Sequence, residues 1–551
     1  MFDNLVVKTP SAYEFPLLIR HLLHTARHLG SRREVVFRPH RRNDYPTLLE
    51  RIARLASGLL AVGVRPGDTV AVMDWDSDRY LECFFAIPMM GAVLHTVNIR
   101  LSPEQILYTI NHAEDDVILV HDEFIPILQQ IHDRIERDVR FVRLSDGGVL
   151  EAQSMGFEVE YEELLADGDP THRFEDFDEN TRATTFYTTG TTGAPKGVYF
   201  SHRQLVLHTL GFMAALGWNG GHGRFHRDDV YMPITPMFHV HGWGIPYIAT
   251  TMGVKQVYPG KYLPETLLEL IDSEGVTFSH CVPTILHMLL SHPMAAEVDL
   301  SRWKVIIGGS TMPIGLGKRA LELGIDVFSA YGMSECGPLL TVAQLERERL
   351  DLDLDEQLRY RCMTGRPTPL VELKVVSEDG SAVPWDGANS GEVVARAPWL
   401  TQGYLKDPEQ SEELWRDGYL HTGDIATVDA DGFVKVTDRL KDVIKSGGEW
   451  ISSIEIEGLV SQVDGVGEVA AIGVPDEKWG ERPVVLAVPV VGREGDLTVE
   501  AIKAKLHDLA ERGVISKWAV PDRVLIVDEI AKTSVGKIDK KGLREEFGSS
   551  R

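Results

Sequence analysis

From residue 45 the chain alternates between two hydrophobic patterns. "TLLERIARLASGLLAVG", "DRYLECFFAIPMMG" and "SPEQILYTINHA" repeat apolar positions at helical spacing, whereas "TVAVMDW" and "DVILVHD" are short, nearly unbroken apolar runs. Amphipathic helices alternating with such runs predict α/β layering on parallel sheets, because parallel strands are covered on both faces. The rhythm returns over 246–330 in "LPETLLELIDSEG" and "VTFSHCV", so two α/β subdomains are expected in the first 330 or so residues. Residues 370–436 differ: "LVELKVVSEDGSAV", "GEVVARAP" and "GFVKVTD" are separated by Gly/Asp turns, which predicts a β-rich subdomain. Beyond about 440, "RPVVLAVPV", "TVEAIKAKLHDLAERG" and "DRVLIVDE" predict a small α+β unit. The boundary falls in "TDRLKDVIKSGG", where a strand ends in charges and glycines, dividing the chain into 1–438 and 439–551. A length of 551 residues suits such a multidomain chain.

Composition narrows the class. Charged residues at 25% and hydrophobic residues at 43% are those of a soluble globular protein. The net charge of −26 is spread along the chain without a Lys/Arg run, which disfavours nucleic acid and anionic membrane surfaces as partners. Cys83, Cys281, Cys336 and Cys362 lie far apart, so neither a disulfide framework nor a structural zinc site is expected, and a reducing compartment is the simple reading. The longest apolar stretch is broken by Pro88 and His95 and falls short of the ~20 residues of a spanning helix. "MFDNLVVKTP" has no basic region followed by an apolar core. The expected location is the cytoplasm, with no stable membrane insertion; a homodimer is left open.

The stretch "YTTGTTGAPKG", Tyr187 to Gly197, is rich in Thr and Gly and carries one lysine. The apolar "RATTFY" before it reads as a strand, and Ser201 with Gln204 after it as a capping-box start to a helix. Strand, small-residue turn and helix together form a phosphate-binding setting. It is not a Walker loop: counted from Gly190, Pro195 stands where the second glycine belongs and Gly197 where the metal-binding hydroxyl belongs. Taken alone, an ordinary Gly/Thr turn is also compatible.

In order, the chain reads "YTTGTTGAPKG", "PMFHVHGWG", "AYGMSECGPLL", "YLHTGDIA", "DRLKDVIKSGGEWISSIEIE" and "TSVGKIDK". On these motifs it resembles the adenylate-forming (ANL) superfamily along nearly its whole length, and within it looks most like the fatty acyl-CoA synthetases. The resemblance implies an acid–thiol ligase with ATP and CoA as co-substrates and Mg²⁺ as cofactor. It implies that Thr188, Thr189, Gly190, Thr191, Thr192 and Gly193 follow the ATP phosphates, with Lys196 reaching the β- and γ-phosphates. Ser329, Ala330, Tyr331, Gly332 and Ser334 would meet AMP, with Tyr331 stacked on adenine, and Glu335 and Thr191 would hold the metal. Ser334 replaces the more usual Thr and keeps the hydroxyl.

In "IIGGS", Gly308, Gly309 and Ser310 would allow close backbone approach to adenine and the acyl chain. Asp424 would take the ribose hydroxyls, assisted by Arg439; Lys441 would be the hinge, and Lys445, Gly447, Gly448, Glu449 and Trp450 would face CoA. Lys537 matches the lysine that reaches the α-phosphate and the substrate carboxylate, a role suited to a compact charge on a flexible stem. Ala531 stands where relatives usually carry proline, a change expected to loosen the loop before Lys537.

The chemistry itself needs such a set. A carboxylate is a poor electrophile until its oxygen is joined to AMP, and that step requires cations around the α-phosphate. By the same resemblance "PMFHVHGWGIPY" would line the acid site, with His239 steering the carboxylate and Trp243 gating an acyl tunnel; a buried, satisfied histidine and a core aromatic are also compatible. Amino-acid-activating relatives carry an aspartate early in this stretch to pair with the substrate amine; here it holds no Asp or Glu, so an amino acid substrate, whose ammonium would be buried unpaired, is disfavoured. A medium- or long-chain fatty acid is the first expectation. Short, branched, aryl or sulfur-containing acids remain open, as do a luciferase-like oxygenase, a carrier-loading enzyme and a non-catalytic binder on the same fold.

Overall fold

A computed structural model describes residues 4–29, 32–37, 41–147, 155–188, 194–220, 222–446, 449–476, 478–490, 492–493, 495–533 and 537–548. The helical patterns form where they are read: Tyr45–Ala61, Asp78–Met89 and Pro103–Ala113. Each opens on a side-chain cap, from Asp44, Ser77 and Ser102, which satisfies amides that have no intrahelical partner.

These helices flank a seven-stranded sheet. Its spatial order is Val159–Glu160, Arg140–Leu144, Asp115–His121, Thr69–Met73, Val93–Thr96, Arg182–Thr188 and Lys196–Ser201. All pairings are parallel except the last, and every residue of Thr69–Met73 is buried, as the unbroken apolar run requires.

The second sheet has nine strands, with Phe278–Cys281, Lys304–Ile307 and Asp326–Gly332 adjacent and parallel in its middle. Its far edge is built from the chain's beginning: Glu34–Phe37 pairs in parallel with Lys255–Tyr258. The N-terminal strands thus belong to the second α/β layer, a pairing between distant segments that periodicity does not reveal. A five-stranded sheet spans Glu372–Val376 to Val434–Arg439, matching the β-rich reading, and a separate five-stranded sheet covers Ile444–Ile526. The last has its own apolar core, with Ile456, Val485, Ile502 and Leu506 buried. No helix among the described residues is long and apolar enough to cross a membrane.

One local expectation is corrected. The Thr/Gly stretch does not lead directly into a helix: Lys196–Ser201 is a strand that pairs back on Arg182–Thr188, with Thr188 opposite Lys196. The alternating "KGVYF" supplies a buried face at Val198 and Phe200, which suits a strand between the turn and the helix. The capping box is where it was expected, with Ser201 Oγ accepting from Gln204 N and Gln204 Oε1 accepting from Ser201 N at 2.8 Å. The helix N-terminus therefore lies one strand away from the Thr/Gly turn, and its dipole is not aimed from that turn.

Candidate active site

Three strand ends and one loop of the C-terminal unit meet at a small cavity. It measures about 30 Å³, and its wall includes Thr235, His239, Trp243, Val282, Gly309 and Lys537, with Arg100 and Tyr262 beside them. Gly309 lies just after Lys304–Ile307 with φ +78°; a Cβ there would stand 3.2 Å from Lys537 Cε. The neighbouring Gly308 leaves room for Trp243, whose ring carbon would lie 2.9 Å from a Cβ at that position. The two glycines make space for Trp243 and Lys537.

Backbone bonds anchor the segment around Lys537. Thr533 N donates to Lys537 O at 2.7 Å and Asp539 N donates to Ala531 O at 2.9 Å. The second of these bonds uses the carbonyl of Ala531, which a proline would also supply. Desolvation, reinforced by the like charge of Arg439, lowers the Lys537 ammonium to about 8, against the opposing pull of Asp424 and Glu335. His239 is lowered to about 3 by desolvation and by the nearby Lys537 and Arg100, so its imidazole is neutral at physiological pH.

The nucleotide side is built from facing strands. Asp424, on Tyr419–Val428, is the register partner of Arg439 on Val434–Arg439, with Arg439 Nε 3.3 Å from Asp424 Oδ1. Tyr331, near the end of Asp326–Gly332, donates its hydroxyl to Asp424 Oδ2 at 2.7 Å. Gly332 has no space for a side chain, since a Cβ would overlap Pro338 O at 1.6 Å. Ser329 Oγ is buried and has no hydrogen-bond partner among the described residues, a cost that a polar ligand atom would remove. Ala330 and Ser334 flank Tyr331, and Ser310 follows Gly309.

Glu335 is buried, and Tyr404 Oη donates to its Oε1 at 2.7 Å. Lys196 Nζ lies 4.6 Å from the Tyr404 ring centroid. Tyr404 therefore joins the strand after the Thr/Gly turn to the acidic residue, aided by Leu405 N donating to Gly197 O at 2.8 Å. A hard carboxylate of this kind suits Mg²⁺, which takes one or two protein carboxylates and completes its shell with phosphates and water. Among the described residues no cluster of three or more His, Cys, Asp or Glu side chains forms a metal cage.

Not every predicted residue joins this site. Thr188 ends the strand before the turn, while Thr189, Gly190, Thr191, Thr192 and Gly193 lie outside the described residues, as do Gly447 and Gly448. Lys441 is exposed, with its ammonium lowered by desolvation and by Arg439. Lys445 is exposed on the strand Ile444–Ser446, which pairs with Glu449–Ile451, and its backbone N–H donates to Glu481 at 2.8 Å. Lys445 and Glu449 are exposed on this hairpin, while Lys537 occupies the cavity wall.

Sequence reasoning missed Asp76, Tyr262, Arg100 and Tyr404. None sits in a motif, and each reaches the site by a contact with a distant segment; only the turn-like "QGYLKD" marks Tyr404 as worth inspecting.

Known proteins match this arrangement throughout. A family model described as AMP-binding enzyme matches residues 22–405, and one described as AMP-binding enzyme C-terminal domain matches 455–537. The long-chain-fatty-acid–CoA ligase of Thermus thermophilus is 40% identical, covering 95% of this chain and 94% of its own. The 3-methylmercaptopropionyl-CoA ligase of Ruegeria lacuscaerulensis is 39% identical, covering 97% of each. Among solved structures, an anthranilate CoA ligase in complex with anthranoyl-AMP superposes with a TM-score of 0.84 at 23% identity over 97% of this chain and 98% of its own, a likeness of fold.

Proposed function

The chain belongs to the AMP-binding enzyme family, and from that premise we propose that it is an acid–thiol ligase making an acyl-CoA in two steps. In the first, a carboxylate oxygen of the acid attacks the α-phosphorus of ATP, forming an acyl-adenylate and releasing pyrophosphate. In the second, the CoA sulfur attacks the acyl carbon, AMP leaves, and the thiol proton passes to solvent. The observation that supports this reading is Lys537 beside His239 on the cavity wall, within the fields of Glu335, Asp424 and Arg439.

Each residue has a task that its surroundings support. Lys537 reaches the carboxylate and the α-phosphate, where charge develops on transfer, and neutral His239 donates a hydrogen bond to the incoming acid. Asp424 and Arg439 hold the ribose, Tyr331 packs against the adenine, and Ser329 Oγ meets the nucleotide. Lys196 and the Thr/Gly turn, Thr189 to Gly193, take the β- and γ-phosphates. Glu335, with Thr191, would hold Mg²⁺, which when bound neutralises phosphate charge. The unit after a hinge at 439–441 moves between the two steps, bringing Lys445 to Trp450 toward CoA.

A medium- or long-chain fatty acid is the first substrate reading, supported by the apolar Ile234, Val282 and Ile285 in the cavity wall. A second reading, a short or sulfur-containing acid, is favoured by the small size of the cavity, about 30 Å³ with Trp243 in its wall. ATP–pyrophosphate exchange measured across a panel of acids, followed by acyl-CoA formation with CoA, tests both. Exchange that no acid stimulates would remove the ligase reading.

A further inference from the structure

The turn Thr235–Gly244 carries both His239 and Trp243, and its backbone is strained. Val240, His241, Gly242, Trp243 and Gly244 follow one another with φ of +47°, +55°, +55°, +58° and +71°. A left-handed conformation is unfavourable for any residue with a Cβ and most of all for a β-branched one such as Val240. His241 adds to the cost. Its ring is buried among Phe84, Phe186, Phe200 and Tyr247, and neither ring nitrogen has a partner among the described residues. Such a segment persists only where its surroundings over-determine it.

Asp76 is the residue that does so. It follows the strand Thr69–Met73 and is 2% exposed. Its Oδ1 accepts the Met237 N–H at 2.8 Å, its Oδ2 accepts the Tyr262 hydroxyl, and its carbonyl accepts the Gly260 N–H at 2.9 Å. Three segments are thereby tied to one carboxylate: the strand end, the strained turn and the Gly260–Tyr262 bend on the cavity wall. Thr96 supports the turn from another side, its Oγ1 donating to Phe238 O at 2.9 Å. The charged groups facing Asp76 are Arg100, which favours its ionised form, and Asp74, which opposes it.

We propose that Asp76 is a positioning residue of the acid site, holding the left-handed turn so that His239 and Trp243 keep their places on the cavity wall. It touches no substrate and acts through Met237 and Tyr262. The kinetic part of its test rests on the acid-activation reading; the structural part does not.

Asp76→Asn keeps the size and one acceptor, but its amide nitrogen cannot accept the Tyr262 proton. Amide hydrogen exchange over 235–244 should then quicken about tenfold or more, while the neighbouring strands Phe278–Cys281 and Lys304–Ile307 keep wild-type rates. The KM for the acid should rise about tenfold with the KM for ATP within about twofold, and selectivity among acids should broaden. Unchanged exchange over 235–244 in the folded variant overturns the proposal. So does exchange that quickens throughout the N-terminal domain with turnover of every acid falling alike, which marks a residue of general stability. If Asp76→Asn does not fold, Tyr262→Phe removes one of the two bonds, and unchanged exchange over 235–244 in that variant overturns the proposal equally. Because exchange is read without substrate, a wild-type enzyme that no acid stimulates would remove the ligase reading and still leave the role of Asp76 decided.

Discussion

Lys537 and Lys445 sit on the same C-terminal unit and meet opposite surroundings. Lys537 lines the cavity, within reach of the fields of Asp424, Glu335 and Arg439, and burial lowers its ammonium to about 8. Lys445 is exposed on a hairpin whose backbone is tied to Glu481 of its own unit. On the proposed two-step reading the two lysines serve successive arrangements of this unit, and the one seen here has Lys537 on the cavity wall.

The sharpest way to break that contrast is to remove Lys537. Lys537→Ala should reduce acid-dependent pyrophosphate exchange by about a thousandfold, at the upper end for loss of one transition-state electrostatic partner. Thioesterification of a supplied acyl-adenylate should stay near wild type. Equal losses in both half-reactions would end the two-arrangement reading.

Glu335 tests the metal side of the same arrangement. Glu335→Gln keeps a partner for Tyr404 but removes the carboxylate charge, and should cost about 3 kcal/mol in the adenylation barrier and raise the Mg²⁺ concentration needed for half-maximal rate. Adenylation with unaltered Mg²⁺ dependence would place the metal elsewhere.

pH tests Lys537 without mutation. The free enzyme's kcat/KM for ATP in adenylation should fall about tenfold per unit above pH about 8, as Lys537 loses its proton. The kcat should hold to higher pH, because bound phosphates support the ammonium. Stability moves the other way. The folded pKa of about 8 lies below the ordinary lysine value of 10.5, so between them the unfolded chain holds more protons and stability from this group rises with pH. Adenylation that stays flat to pH 10 would contradict the burial seen at Lys537.

Lys445→Ala is expected to have a smaller and complementary effect: about tenfold slower transfer to CoA, the worth of one charge-assisted bond, with pyrophosphate exchange unchanged. A loss in exchange instead would mean that Lys445 acts in the first step.

The residues these tests address were legible because the chemistry lies in short motifs. Lys196, Glu335, Asp424 and Lys537 each stand in a few contiguous residues with a recognisable order. The helices were legible for a similar reason, since period and caps are local; Ser201 with Gln204 is an instance. What holds the site together was not legible. Asp76 meets Met237 and Tyr262 across 161 and 186 residues, and Tyr404 meets Glu335 across 69, so no local pattern records either contact. The strand Lys196–Ser201 went unread for the same cause: its preference is decided by pairing with Arg182–Thr188.

Trp243 carries the smallest expected effect and bears most on the acid. It is 7% exposed, packs against His280 with ring centroids 5.1 Å apart and fills the space that Gly308 leaves open. It is therefore both a core side chain and part of the cavity wall, and truncation separates the two roles. If Trp243 gates the acyl site, Trp243→Ala should change kcat/KM severalfold in favour of acids that the cavity now excludes, and leave the KM for ATP near its original value, since the indole is placed against the acid side. If packing is its main work, the variant should lose about 3–5 kcal/mol of stability, with activity on every acid falling in proportion to the folded fraction. The left-handed backbone at this position tempers the second outcome, because relief of crowding in the turn would offset part of the loss. Melting temperature measured beside acid selectivity distinguishes them: a large drop in Tm with unaltered selectivity would reject the gate, and the long-chain reading would then need another residue to open a cavity of about 30 Å³.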